Sequence, residues 1–387
     1  MEIITDAMEC RKTSMNWKFQ WYFNWPSDET AEIENAWHNA WINSPYSNVF
    51  QQPTLARIWV ENVARLRGER PVLLIAKDSD HTVYFPFTIR TQKWRRLWRR
   101  ELHALGANLV FDYQSPLVEG PEMHESDWLT FWVGLYDSSQ TIPIDFFQIE
   151  HLQKISGITD GNQPLFSKIK CKEVTVAPRI NLRNVPSLDG ILAHASPNHR
   201  SKIRRKMRAV LNLNPRLVIF SSTDLEEALK MFDTMLIAYD KQYGGKQHWH
   251  MFKDKRNINF YREMICIGLP AGWLHVSILE VGRNPVSWHI GFFWNRHFYW
   301  YKPCYGIDEE KILPGHLHIA FLLMNGLSDG WEVFDFTVGG ERYKFSWATE
   351  TQSIYQLSWF SSNRRGILHY WGHKATQVMR NKISQIL

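Results

Sequence analysis

The sequence predicts an α/β (α+β) chain of two halves, each a mixed, mostly antiparallel sheet flanked by helices. Three observations carry this. At 387 residues the chain is too long for one ordinary core and suits two domains of average size. Hydrophobic residues make up 44% and charged residues 22%, the balance of a water-soluble globular protein. The element order hairpin, strand, helix, strand occurs twice at roughly agreeing spacing, a structural repeat without sequence repetition. The expected division is 1–185 and 186–387.

In the first half, WKFQWYFNW reads as a strand or edge segment. Asp28 caps a helix whose apolar side is Ala31, Ile33, Ala36, Trp37, Ala40 and Trp41, and Ser44-Pro45 stops it. A second helix starts on Pro53 and ends at Gly68. PVLLIAK and TVYFPFTIR flank Asp78-Ser79-Asp80 as a hairpin, and Pro86 argues against a central place for the second strand. ELHALGANLV, residues 127–136 and IDFFQIEHL follow as strand, helix and strand, and 161–164 and 178–186 read as linker. The second half opens with the Ser196-Pro197 helix start and a basic helix to about residue 213. Helices then run over 224–239 and 257–267. GWLHVSILEV and PVSWHIGFFW form a hairpin around Gly282-Arg283-Asn284. Strand FYWYKPCYG, helix 313–327 and strand EVFDFTV complete the order.

Several function classes are excluded or narrowed. No stretch approaches the roughly 18 to 20 apolar residues that span a bilayer, and the N-terminus lacks the apolar segment of a signal peptide, so a cytoplasmic location is expected. Cys10, Cys171, Cys266 and Cys304 are too scattered for a disulfide framework or a metal site, and the histidines of HWH and HLH lack further ligands at metal spacing, so no metal is implied. A net charge of +6 favours an anionic partner. Nineteen tryptophans fit either sugar or base stacking or, more commonly, an aromatic-rich core.

Residues 331–347, WEVFDFTVGGERYKFSW, concentrate the candidate chemistry. Alternation puts Val333, Asp335 and Thr337 on one strand face and Phe334 and Phe336 on the other. Asp335 then needs a partner or a raised pKa, and the structural reading pairs it with Lys344 or Arg342. Gly339-Gly340 turns the chain so that Glu341, Arg342, Tyr343 and Lys344 return over the strand end.

The pattern FDFxxGGExYKxxW resembles the CelD-like acyltransferases, relatives of the FemAB peptidyltransferases in the GNAT superfamily. RELHALGANLVFDYQSPLVEG and SPNHRSKIRRKMRAV extend the resemblance more loosely over most of the chain. It implies two tandem GNAT-like halves and transfer of an acyl group to an amine, with acetyl-CoA or another acyl-CoA as co-substrate. The acceptor would be a sugar, polysaccharide or cell-envelope precursor, nucleotide- or lipid-linked. Lys344 occupies the position of a lysine that matters for activity in FemAB-type enzymes. Asp335 and Glu341 are the acids nearest it in sequence, able to take the amine proton or to position Lys344. His289 is expected to face either the cleft or the core. Tyr305 would protonate a leaving thiolate or simply pack at a strand end. In GNAT folds the pyrophosphate lies at the start of the helix after the central strand, here Pro314, Gly315 and His316, although the fuller glycine-rich loop is missing. Tyr343, Arg204 and Arg205 are expected on the substrate side. KWRRLWRR, 93–100, reads as an exposed loop with a membrane-surface role. The alternatives are a FemAB-like transferase using charged transfer RNA, and a non-enzymatic module binding nucleic acid or membrane through the basic clusters.

Overall fold

The computed structural model describes residues 17–94, 97–106, 110–153, 168–243, 250–306 and 311–384. Two units form: Thr175–Gln352, and Met1–Val174 together with Ser353–Leu387. This differs from the division at 185/186 in two segments. Residues 175–185 belong to the second unit, and the chain after 352 returns to the first, because its last strand is hydrogen-bonded there.

In the first unit, β1 (Lys18–Tyr22), β2 (Arg70–Lys77), β3 (Thr82–Trp94), β4 (Leu97–Ala104), β6 (Phe146–Gln153) and β13 (Glu350–Phe360) follow one another across the sheet, and β5 (Leu117–Glu119) pairs with β3. Helices α1 (Ala31–Asn43), α2 (Pro53–Trp59, prolonged by tighter and wider turns to Arg67) and α3 (Glu125–Ser139) pack with it. The hairpins are antiparallel, but β4 and β6 run parallel, which requires the crossover through α3. β3 is central despite Pro86. The Pro86 carbonyl accepts from Leu105 N–H, so its missing donor falls on the edge where the partner of β3 changes from β5 to β4. Of residues 93–100, Lys93, Trp94 and 97–100 are not loop but the paired ends of β3 and β4, with Lys93 opposite Trp98, and 95–96 lie outside the described residues. The core gathers Phe85, Phe87, Trp132, Phe147, Leu357 and Trp359. The predicted strand 101–110 stops at Ala104, and 107–109 lie outside the described residues, as does the 161–164 linker.

The second unit repeats the order. Its sheet runs β7 (Lys170–Asn181), β12 (Val333–Asp335), β11 (His297–Tyr305), β10 (Asn284–Trp294), β9 (Leu274–Val281) and β8 (Arg216–Phe220). The antiparallel β9–β10–β11 set corresponds to β2–β3–β4, and the parallel pair β11·β12, joined through a helix, corresponds to β4·β6. The fold is therefore tandem and GNAT-like, with mostly antiparallel sheets. The helices are α4 (Leu188–Ala193), α5 (Pro197–Leu211), α6 (Leu225–Tyr243), α7 (Lys255–Gly268), α8 (Pro314–Ser328) and the single turn α9 (Arg342–Phe345). α5 buries Ile203 and Val210 and half-buries Met207, whereas Leu211 is exposed. Residues 178–181 belong to β7 rather than a linker: Asp335 pairs with Arg179, and Phe336 N–H donates to Pro178. α10 (Arg364–Ser384) ends the described chain. Nine of the nineteen tryptophans are among the largest fully buried side chains, so the core accounts for much of the aromatic excess.

Candidate active site

β12 is only three residues long, shorter than the predicted 332–338, and Asp335 is the cause. Its Oδ1 accepts from Thr337 N–H at 2.7 Å while Thr337 takes a left-handed φ of 56°, so a side-chain turn ends the strand. β11 pairs with β12 only from His297 to Tyr299 and continues to Tyr305 without it. Beyond this divergence Gly339, at φ 139°, reverses the chain. Lys344 then returns to place Nζ 2.9 Å from the Val338 carbonyl and 3.0 Å from Glu341 Oε2. A Cβ on Gly339 would lie 2.2 Å from that Glu341 oxygen and 2.7 Å from Nζ, whereas one on Gly340 would meet nothing. Only the first glycine is required by the geometry. Lys344 is 5% exposed in its side chain and Glu341 56%, so a buried amine is held by a carboxylate that remains in water.

Two helix starts converge beside this turn. Ser196 caps α5 by accepting from His199 N–H, and Leu313, at φ 61° and with no side-chain cap, opens α8. The N–H groups of the first turn of α8 thus lack a capping side chain, and a non-glycine residue is held in a sparsely populated conformation. His199 and His316 are the third residues of their helices, with ring centres 5.3 Å apart. Trp347 Nε1 donates to His316 Nδ1 at 2.9 Å, which leaves the His316 proton on Nε2. Burial lowers the His316 pKa to about 4, helped by His199 and Lys202, and burial and Lys202 also lower that of His199. Both rings are neutral at physiological pH in a locally positive field. Tyr343 packs edge-on to His316 at 6.2 Å, and a Cβ on Gly315 would lie 3.8 Å from the Tyr305 ring. Burial, and then the Glu341 carboxylate, keep the Tyr343 hydroxyl protonated. For Tyr243, at the end of α6, burial and then Cys304, Tyr305 and Glu341 do the same.

Among the described residues, the arrangement offers a helix start without a capping side chain, a lysine with an N–H to spare, a solvated carboxylate and protonated phenols. These are the parts that acyl transfer needs. Residues 197–345 match the family described as "Acetyltransferase (GNAT) domain". The chain carries a GNAT acyltransferase domain. Among solved structures, one titled "Crystal structure of FemX" matches with a TM-score of 0.57 at 10% identity, covering 84% of this chain and 96% of that one. A conserved protein of unknown function from Bacteroides thetaiotaomicron matches with a TM-score of 0.51 at 12% identity, covering 88% of this chain and 100% of that one. At such identities the likeness is one of fold. No functionally curated protein matches the chain in sequence.

Within the GNAT domain, Pro314, Gly315, His316, Tyr305, Glu341, Tyr343 and Lys344 come together. Asp335 does not join Lys344 or Arg342. Its Oδ2 lies 3.1 Å from His297 Nε2, at the opposite end of β11 from Tyr305, and Arg342 is exposed. His289 lies in the core and not in the cleft. β11 bulges there, with Trp300 and Tyr301 facing Gly291 alone, and the displaced Tyr301 N–H donates to His289 Nε2 at 3.2 Å. Burial, with His275 and His318 adding to it, holds the His289 pKa well below the usual range, so it serves as a neutral acceptor. Arg204 pairs with Asp189 at 2.8 Å and lines an open groove of about 920 Å³ near the far end of α8, with Met324 and Leu327. Arg205 is exposed on the same helix. Burial pushes the Cys304 thiol up to about 12, which removes it as a nucleophile. Sequence reasoning missed His199 and Tyr243, and it included Trp347 in the motif without giving it a role. A signal was present for the first: Pro197-Asn198-His199 and Pro314-Gly315-His316 put a histidine at the same place in two proline-started helices.

Proposed function

We propose that the protein is an N-acyltransferase using acetyl-CoA or a related acyl-CoA, with an amino group of a sugar, polysaccharide or cell-envelope precursor as acceptor. The observation that carries the donor assignment is the uncapped start of α8 beside the start of α5. Backbone N–H groups, two neutral histidines and Lys202 surround it, the setting that favours a pyrophosphate. Gly315 fits the same role, since among the described residues nothing fills the space above it closer than 3.8 Å. The acceptor class rests on the CelD-like resemblance.

In this reading the donor carbonyl lies where β11 and β12 diverge. Of the three N–H groups of Lys344, two go to Val338 and Glu341, and among the described residues the third is left for the acyl oxygen. Glu341 accepts the acceptor ammonium proton, and Tyr305 or Tyr243 protonates the departing thiolate. Asp335 and His289 take no part in this chemistry: Asp335 is engaged by Thr337 N–H and His297, and His289 accepts from Tyr301 N–H in the core. A transfer-RNA-dependent reading is favoured by one observation, the single glycine where ordinary GNAT enzymes carry more.

Calorimetry with acetyl-CoA decides between donors, with Gly315→Ala as the matched variant. Alanine suits a helix better than glycine, by up to about 1 kcal/mol, so the variant is expected to melt no lower than wild type. Its donor affinity is expected to fall at least about tenfold, because the methyl group occupies the approach to the backbone. No heat from wild type at millimolar acetyl-CoA, beside a response to charged transfer RNA, would overturn the proposal.

A further inference from the structure

The first unit carries a surface that acyl transfer does not use. α10 presents Arg364, Ile367, Leu368, Trp371 and Lys374 on its exposed side, with Ile367 48%, Leu368 56% and Trp371 59% exposed. Its other side is fixed: His369 packs edge-on to Trp94 at 5.5 Å, a Cβ on Gly372 would meet the Trp94 ring, and Tyr370 packs on Phe360. The start of β4 joins the start of the helix, where Arg365 Nη2 donates to the Trp98 carbonyl at 2.6 Å. Trp98 and Leu97 are exposed there, at 58% and 42%. An isolated exposed apolar residue is ordinary, but Ile367, Leu368 and Trp371 share one side of the helix, and Leu97, paired with Trp94, is on the strand face that the helix covers, so these four form a patch.

The charge around the patch has one sign. No aspartate or glutamate occurs from Gln92 to Arg100 or from Ser361 to Leu387. Arg99 is committed to Glu101, and Arg100 and Arg365 lie near Asp145, which leaves Lys93, Arg364 and Lys374 exposed among the described residues. Lys374 Nζ sits over the Trp371 ring, 5.4 Å from its centre, a cation on an aromatic face. Among the described residues no helix is long and apolar enough to cross a membrane. Aliphatic residues give little to a nucleic-acid backbone, while aromatic rings, aliphatic stems and flanking cations together suit the boundary of an anionic bilayer.

We propose that the exposed side of α10 and the adjoining Leu97 at the start of β4 dock the protein on an anionic lipid surface. The proposal rests on the first unit alone and is independent of which acyl group is transferred. It is tested by co-sedimentation of the full chain with phosphatidylcholine vesicles, with and without phosphatidylglycerol. The protein is expected to sediment with the anionic vesicles and to be released by salt. Leu97→Ser/Leu368→Ser/Trp371→Ser is expected to weaken binding at least about tenfold, and Arg364→Gln/Lys374→Gln roughly 25-fold, about fivefold for each cation removed. All five side chains are exposed, so the thermal midpoint of both variants should stay with wild type. Failure to bind anionic vesicles, or equal binding by the variants, would overturn the proposal. So would transfer-RNA binding that the same variants abolish, which would assign the patch to nucleic acid. Light scattering that finds a dimer lost in both variants would make it an interface between copies of the chain.

Discussion

Replacing Lys344 with methionine separates a chemical role from a structural one, because methionine keeps an apolar stem of similar length and removes the charged end. The structural cost can be worked out from the two partners of Nζ. Glu341 is 56% exposed in its side chain and stays solvated without the lysine, so no buried charge is stranded and the roughly 3 to 5 kcal/mol penalty of a broken buried pair does not apply. The Val338 carbonyl does lose its donor at 2.9 Å, a cost of about 1 to 3 kcal/mol. For a unit of this size that is a fall in melting temperature of roughly 2 to 12 °C, small enough to leave a folded protein at assay temperature. If the free N–H of Lys344 stabilises the developing oxyanion, turnover should fall about 10²-fold or more, equivalent to about 2.7 kcal/mol of the barrier. Donor affinity, measured separately by calorimetry, should change much less, because the interaction strengthens only in the transition state. A folded Lys344→Met enzyme with turnover within a factor of a few of wild type would refute the reasoning. The lysine would then be a fastener for the 339–344 turn.

The parts of this fold that were legible in the sequence are those that local pattern determines. The hairpin around Gly282-Arg283-Asn284 and the Ser196-Pro197 helix start carry their signals in adjacent residues, and the structure has both. Asp335 shows the limit. Its strand, its burial and its need for a partner follow from alternation, but the partner is His297, 38 residues earlier, and only the parallel register of β11 and β12 brings the two together. His289 shows a second limit. Alternation puts it on one face of β10 without saying which face is filled. The deciding feature is a bulge in β11, which leaves an amide that only a buried acceptor can satisfy. The Gly339-Gly340 pair reads as one turn signal, yet only Gly339 has the left-handed backbone and the crowded space. β13 and α10 escaped altogether. The segment after Trp347 carries no punctuation that would tie it to the first unit, and its pairing with β6 is a long-range fact.

The Gly339-Gly340 asymmetry has a direct test. Gly339→Ala should cost roughly 1 to 3 kcal/mol and reduce turnover along with Lys344→Met, while Gly340→Ala should stay within about 0.5 kcal/mol of wild type in thermal unfolding; equal effects would refute the assigned geometry. The remaining expectation concerns pH and the first unit, where His103 lies between Glu150 Oε1 at 2.6 Å and Glu101 Oε2 at 2.7 Å, all three buried. Burial alone would lower the His103 pKa, but the hydrogen bonds to Glu101 and Glu150 outweigh it and raise the value, while for Glu101 burial is outweighed by His103 and Arg99 and the pKa falls. The signs follow from linkage. His103 contributes stability that is complete below the unfolded histidine value of about 6.5 and is lost as pH rises through its raised folded value. Glu101 contributes above about 4.5 and loses that contribution as pH falls through its lowered value. Urea unfolding should therefore find the first unit most stable between about pH 4.5 and 6.5 as far as this cluster decides it, with a decline on the alkaline side. His103→Leu should remove that decline and cost roughly 3 to 5 kcal/mol near pH 6, because two carboxylates then share a buried site, with Arg99 bonded to Glu101 and Arg90 opposite Glu101 in the strand pair offsetting them only in part. His103→Leu/Glu150→Leu should recover part of the loss by removing the carboxylate that has no arginine bonded to it. An alkaline slope in His103→Leu equal to that of wild type would show that the histidine is neutral in the folded protein, and the cluster would then have to be held by a shared carboxyl proton instead.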